Sequence, residues 1–267
     1  MEKNTAGEIV NIVNCSNMVD TIINELARLE KEHNIKVLYA CESGSRAWGF
    51  PSPDSDFDVR FIYAHNKDVY LSIIETKDVL DIPINDLLDI GGWDLKKSLK
   101  LFLKSNSPLY EWLQSPIVYK DDSDLAAGLK QLMPKYYSLR AGGHHYFSMA
   151  LNTVNNDLQA DEVKIKRYCY ALRSALACKW IVDKREVPPM VFGELRKLID
   201  IPEVQASIDE LLKLKSVNDE KTLIKRVSVL DNWLQATLSD LKVATDDLPS
   251  IRNDATQLDS VFRKYIK

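Results

Sequence analysis

The sequence predicts an α+β protein, with a small mixed β-sheet and flanking helices followed by an all-α C-terminal region. Short apolar runs bounded by turn residues occur in the first 120 residues, and such runs are typical of strands. From about Asp121 onward helical periodicity dominates, and no convincing strand pattern is present. We therefore expect two domains, at residues 1–120 and 121–267.

The elements of the first part follow from their apolar spacing and their turn residues. Residues 6–33 carry apolar side chains at helical spacing, which predicts one helix or two short ones. Residues 94–104 form an amphipathic pattern, and Asp94 stands where a capping residue is favoured. Strands are predicted over residues 35–41, 56–63, 78–82 and 85–90.

The second part is predicted to contain helices only. Prolines at Pro188-Pro189, Pro202 and Pro249 mark helix boundaries, and Pro134 predicts a break or kink in the first of these helices. The predicted helices cover residues 124–139, 146–158, 163–182, 204–214 and 220–241.

Composition narrows the class of protein. Hydrophobic residues make up 45% and charged residues 28% of the chain, as in ordinary soluble proteins, and no apolar run is long enough for a membrane span. The four cysteines are scattered without metal-ligand spacing, which predicts buried thiols and a cytoplasmic protein. The net charge of −4 argues against non-specific coating of nucleic acid, although it leaves room for a local basic cleft.

One segment, GSRAWGFPSPDSDFDVR at residues 44–60, carries the chemistry. Asp56 and Asp58 alternate along a predicted strand, so both carboxylates project from one face. Carboxylates held this close are hard to keep ionised together, and Mg²⁺, which prefers hard oxygen ligands, relieves the repulsion. The backbone N–H groups of a nearby Gly-Ser turn are suited to phosphate. The segment therefore predicts a metal-dependent nucleotide site.

The same segment resembles the active-site signature of the DNA polymerase β-like nucleotidyltransferase superfamily, in which Gly-Ser precedes Asp-x-Asp on a strand. It is similar in particular to the RNA-ligase-associated (RlaP-like) bacterial branch. Two later blocks, at residues 91–116 and 164–181, also resemble that branch. The resemblance implies a catalytic domain at residues 1–120, a helical domain that closes the cleft, and an active site between them.

The resemblance also implies the reaction and its metal ligands. An NMP would move from an NTP to a hydroxyl with release of pyrophosphate, assisted by two Mg²⁺ (or Mn²⁺) ions. Asp56 and Asp58 would hold the metals, and a third carboxylate on a neighbouring strand would complete the site. The flanks of Leu88-Asp89-Ile90 favour Asp89, with Asp81 as the alternative. The carboxylates considered for this role are Asp78, Asp81, Asp86 and Asp89.

Phosphate-binding residues are predicted on both sides of the cleft. Ser45, with the backbone of Gly44, would hold the β- and γ-phosphates. Arg46 and Arg60 would add charge-assisted contacts, although Arg46 is equally explained as a solvated loop residue. In the helical part the predicted residues are Lys166 and Arg173, facing the triphosphate, and Tyr170, stacking on a base, although an ordinary polar helix face explains the same spacing.

The sequence leaves the acceptor and the activity open. The resemblance suggests an RNA end as acceptor, while a small molecule or a protein side chain is an alternative. A second hypothesis is a catalytically inactive nucleotide-binding regulator on the same fold, in which the third carboxylate is missing or misplaced.

Overall fold

A five-stranded mixed sheet forms the first part of the protein. The computed structural model describes residues 5–82, 87–251 and 254–266. The strands of this sheet are β1 (Ile35–Glu42), β2 (Phe57–His65), β3 (Val79–Asp81), β4 (Leu88–Asp94) and β5 (Val118–Lys120). They lie in the order β3-β4-β2-β1-β5, with β2 parallel to β4 and the other neighbours antiparallel.

Helices flank the sheet and make up most of the remaining chain, so the α+β class is confirmed. None of the helices in the described ranges is long and apolar enough to cross a membrane. A 3₁₀ turn spans Arg196–Leu198. The helices are α1 (Thr5–His33), α2 (Gly44–Trp48), α3 (Lys67–Tyr70), α4 (Leu95–Leu103), α5 (Ser107–Leu113), α6 (Leu125–Tyr136), α7 (Leu139–Asp157), α8 (Ile165–Lys184), α9 (Phe192–Leu195), α10 (Pro202–Val217), α11 (Ser228–Asp246) and α12 (Thr256–Tyr265).

The C-terminal part is mainly helical, but it is not all-α as predicted. Two short antiparallel strands, β6 (Glu162–Lys164) and β7 (Leu223–Lys225), pair with each other there. The helix predicted over residues 220–241 therefore begins only at Ser228. Strands of three residues are too short to show an alternating pattern, so sequence periodicity could not reveal them. The same applies to β5, which was not predicted.

The edge of the sheet also differs from the prediction. The strand predicted over residues 85–90 is β4, which runs on through Gly91 and Gly92 to Asp94. Glycines inside a strand usually signal a close approach, and a Cβ atom on Gly92 would lie 2.3 Å from the ring of Phe61. Asn85 and Asp86 lie outside the described residues.

Alternation along β2 decides which way the site faces. Val59, Phe61 and Tyr63 belong to an apolar cluster that β1 and β4 share with α1. Ile62 and Ala64 point the other way, into a larger core built mostly from the helices. Because Asp58 and Arg60 share the face of Ile62, they face the helical part of the protein.

The larger core joins the two predicted domains. It includes Leu38 of β1 together with Leu172 of α8, so apolar packing is continuous across residue 120. The division at residues 120 and 121 itself stays a prediction.

The capping role of Asp94 is confirmed, because its carboxylate accepts the backbone N–H groups of Lys96 at 2.8 Å and Lys97 at 3.4 Å. Cys41, Cys169 and Cys178 are buried free thiols, as predicted, and the side chain of Cys15 lies outside the described residues.

Candidate active site

Two carboxylates stand side by side on the face of the sheet opposite α1. Asp58 of β2 and Asp89 of β4 are direct partners in the parallel ladder, so their side chains project in the same direction. The guanidinium of Arg60 donates to Asp89 Oδ2 at 2.7 Å and to Asp58 Oδ1 at 3.3 Å. Sequence reasoning placed Arg60 on the face of Asp58, and the structure shows it between the two acids.

The ionisation of Asp58 reflects this crowding. Burial and then the nearby charge of Asp56 raise the pKa of its carboxyl to about 6, while Arg60 acts in the opposite direction. Asp89 and Glu220 add to the increase. A bound cation would stabilise the ionised form of this carboxyl, because it would offset the repulsion from the neighbouring acids.

Asp56 lies just before β2 rather than on it, because the strand begins at Phe57. Its position depends on Arg46, whose Nε donates to the carbonyl oxygen of Asp56 at 3.0 Å and whose Nη2 donates to that of Ser55 at 2.7 Å. The Arg46 guanidinium also lies 3.8 Å from the ring centre of Phe57. Arg46 is therefore not a solvated loop residue, because its Nε and Nη2 hold the backbone that carries Asp56. Its contact with phosphate stays a prediction.

Gly44 begins α2, in place of the simple turn that was predicted, and it packs against Asp58. Its φ of 61° lies in the left-handed region, and a Cβ atom there would come 1.9 Å from Asp58 Oδ2. Next to it, Ser45 Oγ donates to Ser55 Oγ at 3.0 Å. The Gly-Ser pair thus brings the loop of residues 50–55 and Asp58 into one site.

Gly44→Ala should displace the Asp58 carboxylate and strain the backbone. We expect a loss of about 2 kcal/mol in the free energy of unfolding, together with loss of any activity that depends on Asp58. Urea denaturation measures the first effect. Gly128→Ala is the matched control, since a Cβ atom there meets nothing within 4 Å. Equal stability of the two variants would contradict the close approach.

Glu42 is a buried acid that sequence reasoning missed. Its Oε1 accepts the backbone N–H of Asp58 at 2.8 Å, and its Oε2 accepts the hydroxyl of Tyr119. Burial raises the pKa of this carboxyl to about 7. Glu42 therefore fixes the backbone of Asp58 where β1 and β2 separate. The only signal was an acid at the end of an apolar strand.

Two of the predicted residues of α8 reach the site. Lys166 Nζ forms an ion pair with Glu220 Oε2 at 2.7 Å. The ring of Tyr170 meets the ring of Trp48 edge-on, at 5.4 Å between centroids. Burial and then the charges of Glu220 and Asp58 raise the pKa of Tyr170 to about 12. The N-terminal half of α8 thus faces the carboxylates from across the cleft.

Arg173 lies elsewhere, so neither the predicted contact with the triphosphate nor an ordinary polar helix face describes it. Its side chain is only 3% exposed, so it neither faces the cleft nor forms part of a polar surface. It pairs with Glu111 at 3.0 Å, donates to the carbonyl oxygen of Met190 at 3.2 Å, and lies 4.3 Å from the ring centre of Trp48. Glu111 also accepts from Trp48 and Tyr146, so this network holds the wall of the cleft.

Arg173→Met should destabilise the protein, because it leaves the buried Glu111 carboxylate without its cation. We expect a loss of about 3–5 kcal/mol in the free energy of unfolding. Urea denaturation tests this value. Arg167→Met is the control, since its ion pair with Asp157, at 3.4 Å, is more exposed. A fully stable Arg173→Met protein with weakened nucleotide binding would instead favour the phosphate role.

Two of the other candidates for the third carboxylate, Asp81 and Asp78, are less well placed. Asp81 is exposed and pairs with Gly91, one strand further from Asp58. Asp78 pairs with Lys97 at 2.9 Å near the opposite end of β4. Asp86 lies outside the described residues.

The donor chemistry of the site suits a hard divalent cation. Asp56, Asp58 and Asp89 supply carboxylate oxygens, and Gly44 leaves no side chain in front of Asp58. In the described part of the chain, no three acidic, histidine or cysteine side chains converge on one point as a ready-made metal site. Arg60 lies between Asp58 and Asp89, so a cation shared by these acids would require its side chain to move.

Comparison with known proteins identifies the family to which the chain belongs. The chain belongs to the RlaP family, an RNA repair pathway DNA polymerase beta family, which matches residues 18–264. It is 45% identical over 240 residues to an uncharacterized protein, YcgL, of Bacillus subtilis (strain 168), covering 90% of this chain and 92% of that protein. A crystal structure of a nucleotidyltransferase-like protein from Exiguobacterium sibiricum 255-15 matches with a TM-score of 0.31 and 14% identity, over 92% of this chain and 81% of that one. Family membership confirms the resemblance and supports a nucleotidyltransferase function.

Proposed function

We propose that the protein is a metal-dependent nucleotidyltransferase that moves an NMP from an NTP to a hydroxyl, with an RNA end as the acceptor. The observation that supports it most is the pairing of Asp58 with Asp89 on adjacent parallel strands, in front of Gly44. In the reaction the acceptor oxygen bonds to the α-phosphorus, the bond to the β-phosphate oxygen breaks, and pyrophosphate leaves. The acceptor proton is lost to solvent.

The roles of the residues follow from their positions. Asp56, Asp58 and Asp89 would hold Mg²⁺ or Mn²⁺, which would stabilise the charge on the attacking and leaving oxygens. Asp89, beside Asp58, would orient the attacking hydroxyl. Glu42 and Arg46 fix the backbone of Asp58 and Asp56 and so keep the carboxylates in place.

The remaining polar groups would bind the nucleotide. The Gly44 backbone and Ser45 would hold the β- and γ-phosphates, with Lys166 opposite them on α8. Arg60, once released from Asp89, would contact a phosphate. Tyr170 would lie against the base, beside Trp48.

RNA is proposed as the acceptor because the family is described as acting in an RNA repair pathway. The direct experiment incubates the protein with each α-labelled NTP, Mg²⁺ or Mn²⁺, and RNA oligomers that carry a free 3′-hydroxyl. Parallel reactions offer aminoglycosides or cell lysate, because a small molecule or a protein side chain could also accept. Label found on RNA supports the proposal, and label found only on the other acceptors would replace the acceptor.

A second candidate is a nucleotide-binding regulator without transferase activity, and the position of Arg60 favours it. Its guanidinium already balances the charge of Asp58 and Asp89, which is the part that a metal would take. This candidate predicts saturable NTP binding with no label transferred to any acceptor. Transfer that depends on Asp58 would exclude it.

A further inference from the structure

The carboxylate of Glu220, which is distant in sequence from the segment of residues 44–60, accepts hydrogen bonds from two side chains that line the cleft. Glu220 lies in the turn between α10 and β7, and its Oε2 accepts from Lys166 Nζ at 2.7 Å. Its Oε1 accepts from Ser55 Oγ at 3.3 Å, and its backbone N–H donates to the carboxylate of Asp54 at 3.0 Å. Glu220 thus joins the loop of residues 50–55 to α8.

One of these two donors, Lys166, is assigned to phosphate by the proposed function. The other, Ser55, is the hydrogen-bond partner of Ser45, which the proposed function also assigns to phosphate. Ser45 Oγ donates to Ser55 Oγ at 3.0 Å, so Ser45, Ser55 and Lys166 form a continuous set that ends on Glu220. An ammonium and hydroxyl groups bind a carboxylate and a phosphate oxygen through the same charge-assisted hydrogen bonds. Glu220 and a triphosphate therefore compete for one set of donors.

A buried lysine beneath the same loop adds positive charge. Lys215 is 2% exposed and donates to Ser52 Oγ at 3.0 Å, and Ser52 Oγ lies 2.9 Å from Ser55 Oγ. Its ammonium donates to this hydroxyl, and the carboxylates of Glu220 and Asp54 act on it through their charge without forming one of the ion pairs found in the described part of the chain. Burial lowers the pKa of Lys215, and a buried ammonium without an adjacent counter-ion is costly. The positive charge of Lys215 therefore favours an anion with more negative charge than a single carboxylate between the loop of residues 50–55 and α8.

We propose that Glu220 is an internal competitor of the triphosphate, and that nucleotide binds as the β- and γ-phosphates displace its carboxylate from Lys166 and Ser55. This inference rests on the proposed function. Because only the fraction of molecules with Glu220 displaced can bind, apparent affinity falls in proportion to that fraction. Glu220 would then set the nucleotide concentration at which the cleft fills.

The test measures binding of inorganic triphosphate by calorimetry in metal-free buffer, which keeps it independent of the metal site. Glu220→Gln should bind triphosphate about tenfold more tightly than the original protein, which corresponds to about 1.4 kcal/mol. Glu220→Asp keeps the charge but has a shorter reach, so about a threefold gain is expected from weaker occupancy of the donors. Lys166→Gln should bind at least about tenfold more weakly.

Asp183→Asn is the matched control. Asp183 pairs with Lys179 at 2.8 Å on the same helix, about 25 Å from Lys166 by helical rise. Its removal changes the net charge by the same amount, and the affinity should stay within about twofold. Thermal melting of each variant shows that it is folded. If Glu220→Gln does not fold, Glu220→Asp carries the test alone.

Three results would overturn the inference: weaker or unchanged binding in both Glu220 variants, a gain in Glu220→Gln that Glu220→Asp does not share, or no triphosphate binding by any protein. The second result would mean that Glu220 lowers the affinity through its charge alone and not by occupying the hydrogen-bond donors. The label-transfer assay decides the proposed function separately. Asp58-dependent transfer with unchanged binding in the Glu220 variants would refute the inference alone, and absence of both NTP binding and transfer would refute the function.

Discussion

Asp58→Asn should abolish nucleotidyl transfer, with a fall in kcat of about 10³-fold or more. The carboxylate that faces both Asp56 and Asp89 is lost, and a metal contribution of several kcal/mol to the transition state corresponds to a factor of this size. The measurement is the initial rate of label transfer from an α-labelled NTP. Asp78→Asn, which removes an exposed acid near the far end of β4, should keep full activity.

The same substitution should stabilise the fold at neutral pH. The pKa of Asp58 is raised to about 6 in the folded protein, so its ionisation costs stability as pH rises from about 4 to about 6. Asparagine avoids this cost, and its side chain is only partly buried, so we expect a gain of about 1 kcal/mol at pH 8 and none below about pH 4. Urea unfolding at both pH values measures it. Residual transfer above about 10% of the original rate, or a loss of stability at pH 8, would contradict the assigned environment of Asp58.

Asp89→Asn should reduce kcat by about 10²- to 10³-fold while the Kd for NTP changes by less than about threefold. Asp89 lies beside Asp58, where the attacking hydroxyl would be oriented, and it contacts none of the groups assigned to the triphosphate except Arg60. Rates come from label transfer under saturating NTP, and affinity comes from calorimetry.

Asp81→Asn is the informative partner of that experiment. Asp81 lies one strand further out and is exposed, so its loss should leave both parameters within about threefold of the original. Reversed results, with Asp81→Asn inactive and Asp89→Asn active, would make Asp81 the third carboxylate. If both variants transferred label at the rate of the original protein, neither carboxylate would be needed, and a different mechanism would be favoured.

Local patterns were sufficient for much of this protein. The strands that carry Asp58 and Asp89 were predictable because short apolar runs flank both acids, and the cap at Asp94 was predictable from its place before an amphipathic pattern. The family was recognisable because Gly44, Ser45, Asp56 and Asp58 lie within one short segment, so their spacing in sequence reflects their spacing in space.

Contacts between distant residues could not be predicted in the same way. Glu220 meets Ser55 across 165 positions, and nothing in the residues around Glu220 indicates it. Arg173 shares helical spacing with Lys166 and Tyr170, but only tertiary packing shows that it is buried against Glu111. Arg46 was assigned to phosphate or solvent because its residue type permits both, whereas the fold uses its donors for the backbone beside Asp56. The three-residue strands β6 and β7 are strands only because they pair with each other across distant parts of the chain.

The most direct test of the three-carboxylate site is a crystal structure with Mn²⁺ and a non-hydrolysable α,β-methylene NTP, using the anomalous signal of manganese. We expect manganese within about 2.0–2.4 Å of carboxylate oxygens of Asp56, Asp58 and Asp89, as oxygen ligands require, with Arg60 moved away from Asp89. The triphosphate should lie against Ser45 and Lys166. Nucleotide bound with Arg60 still between Asp58 and Asp89 and no manganese there, or manganese at another site, would contradict the proposed mechanism.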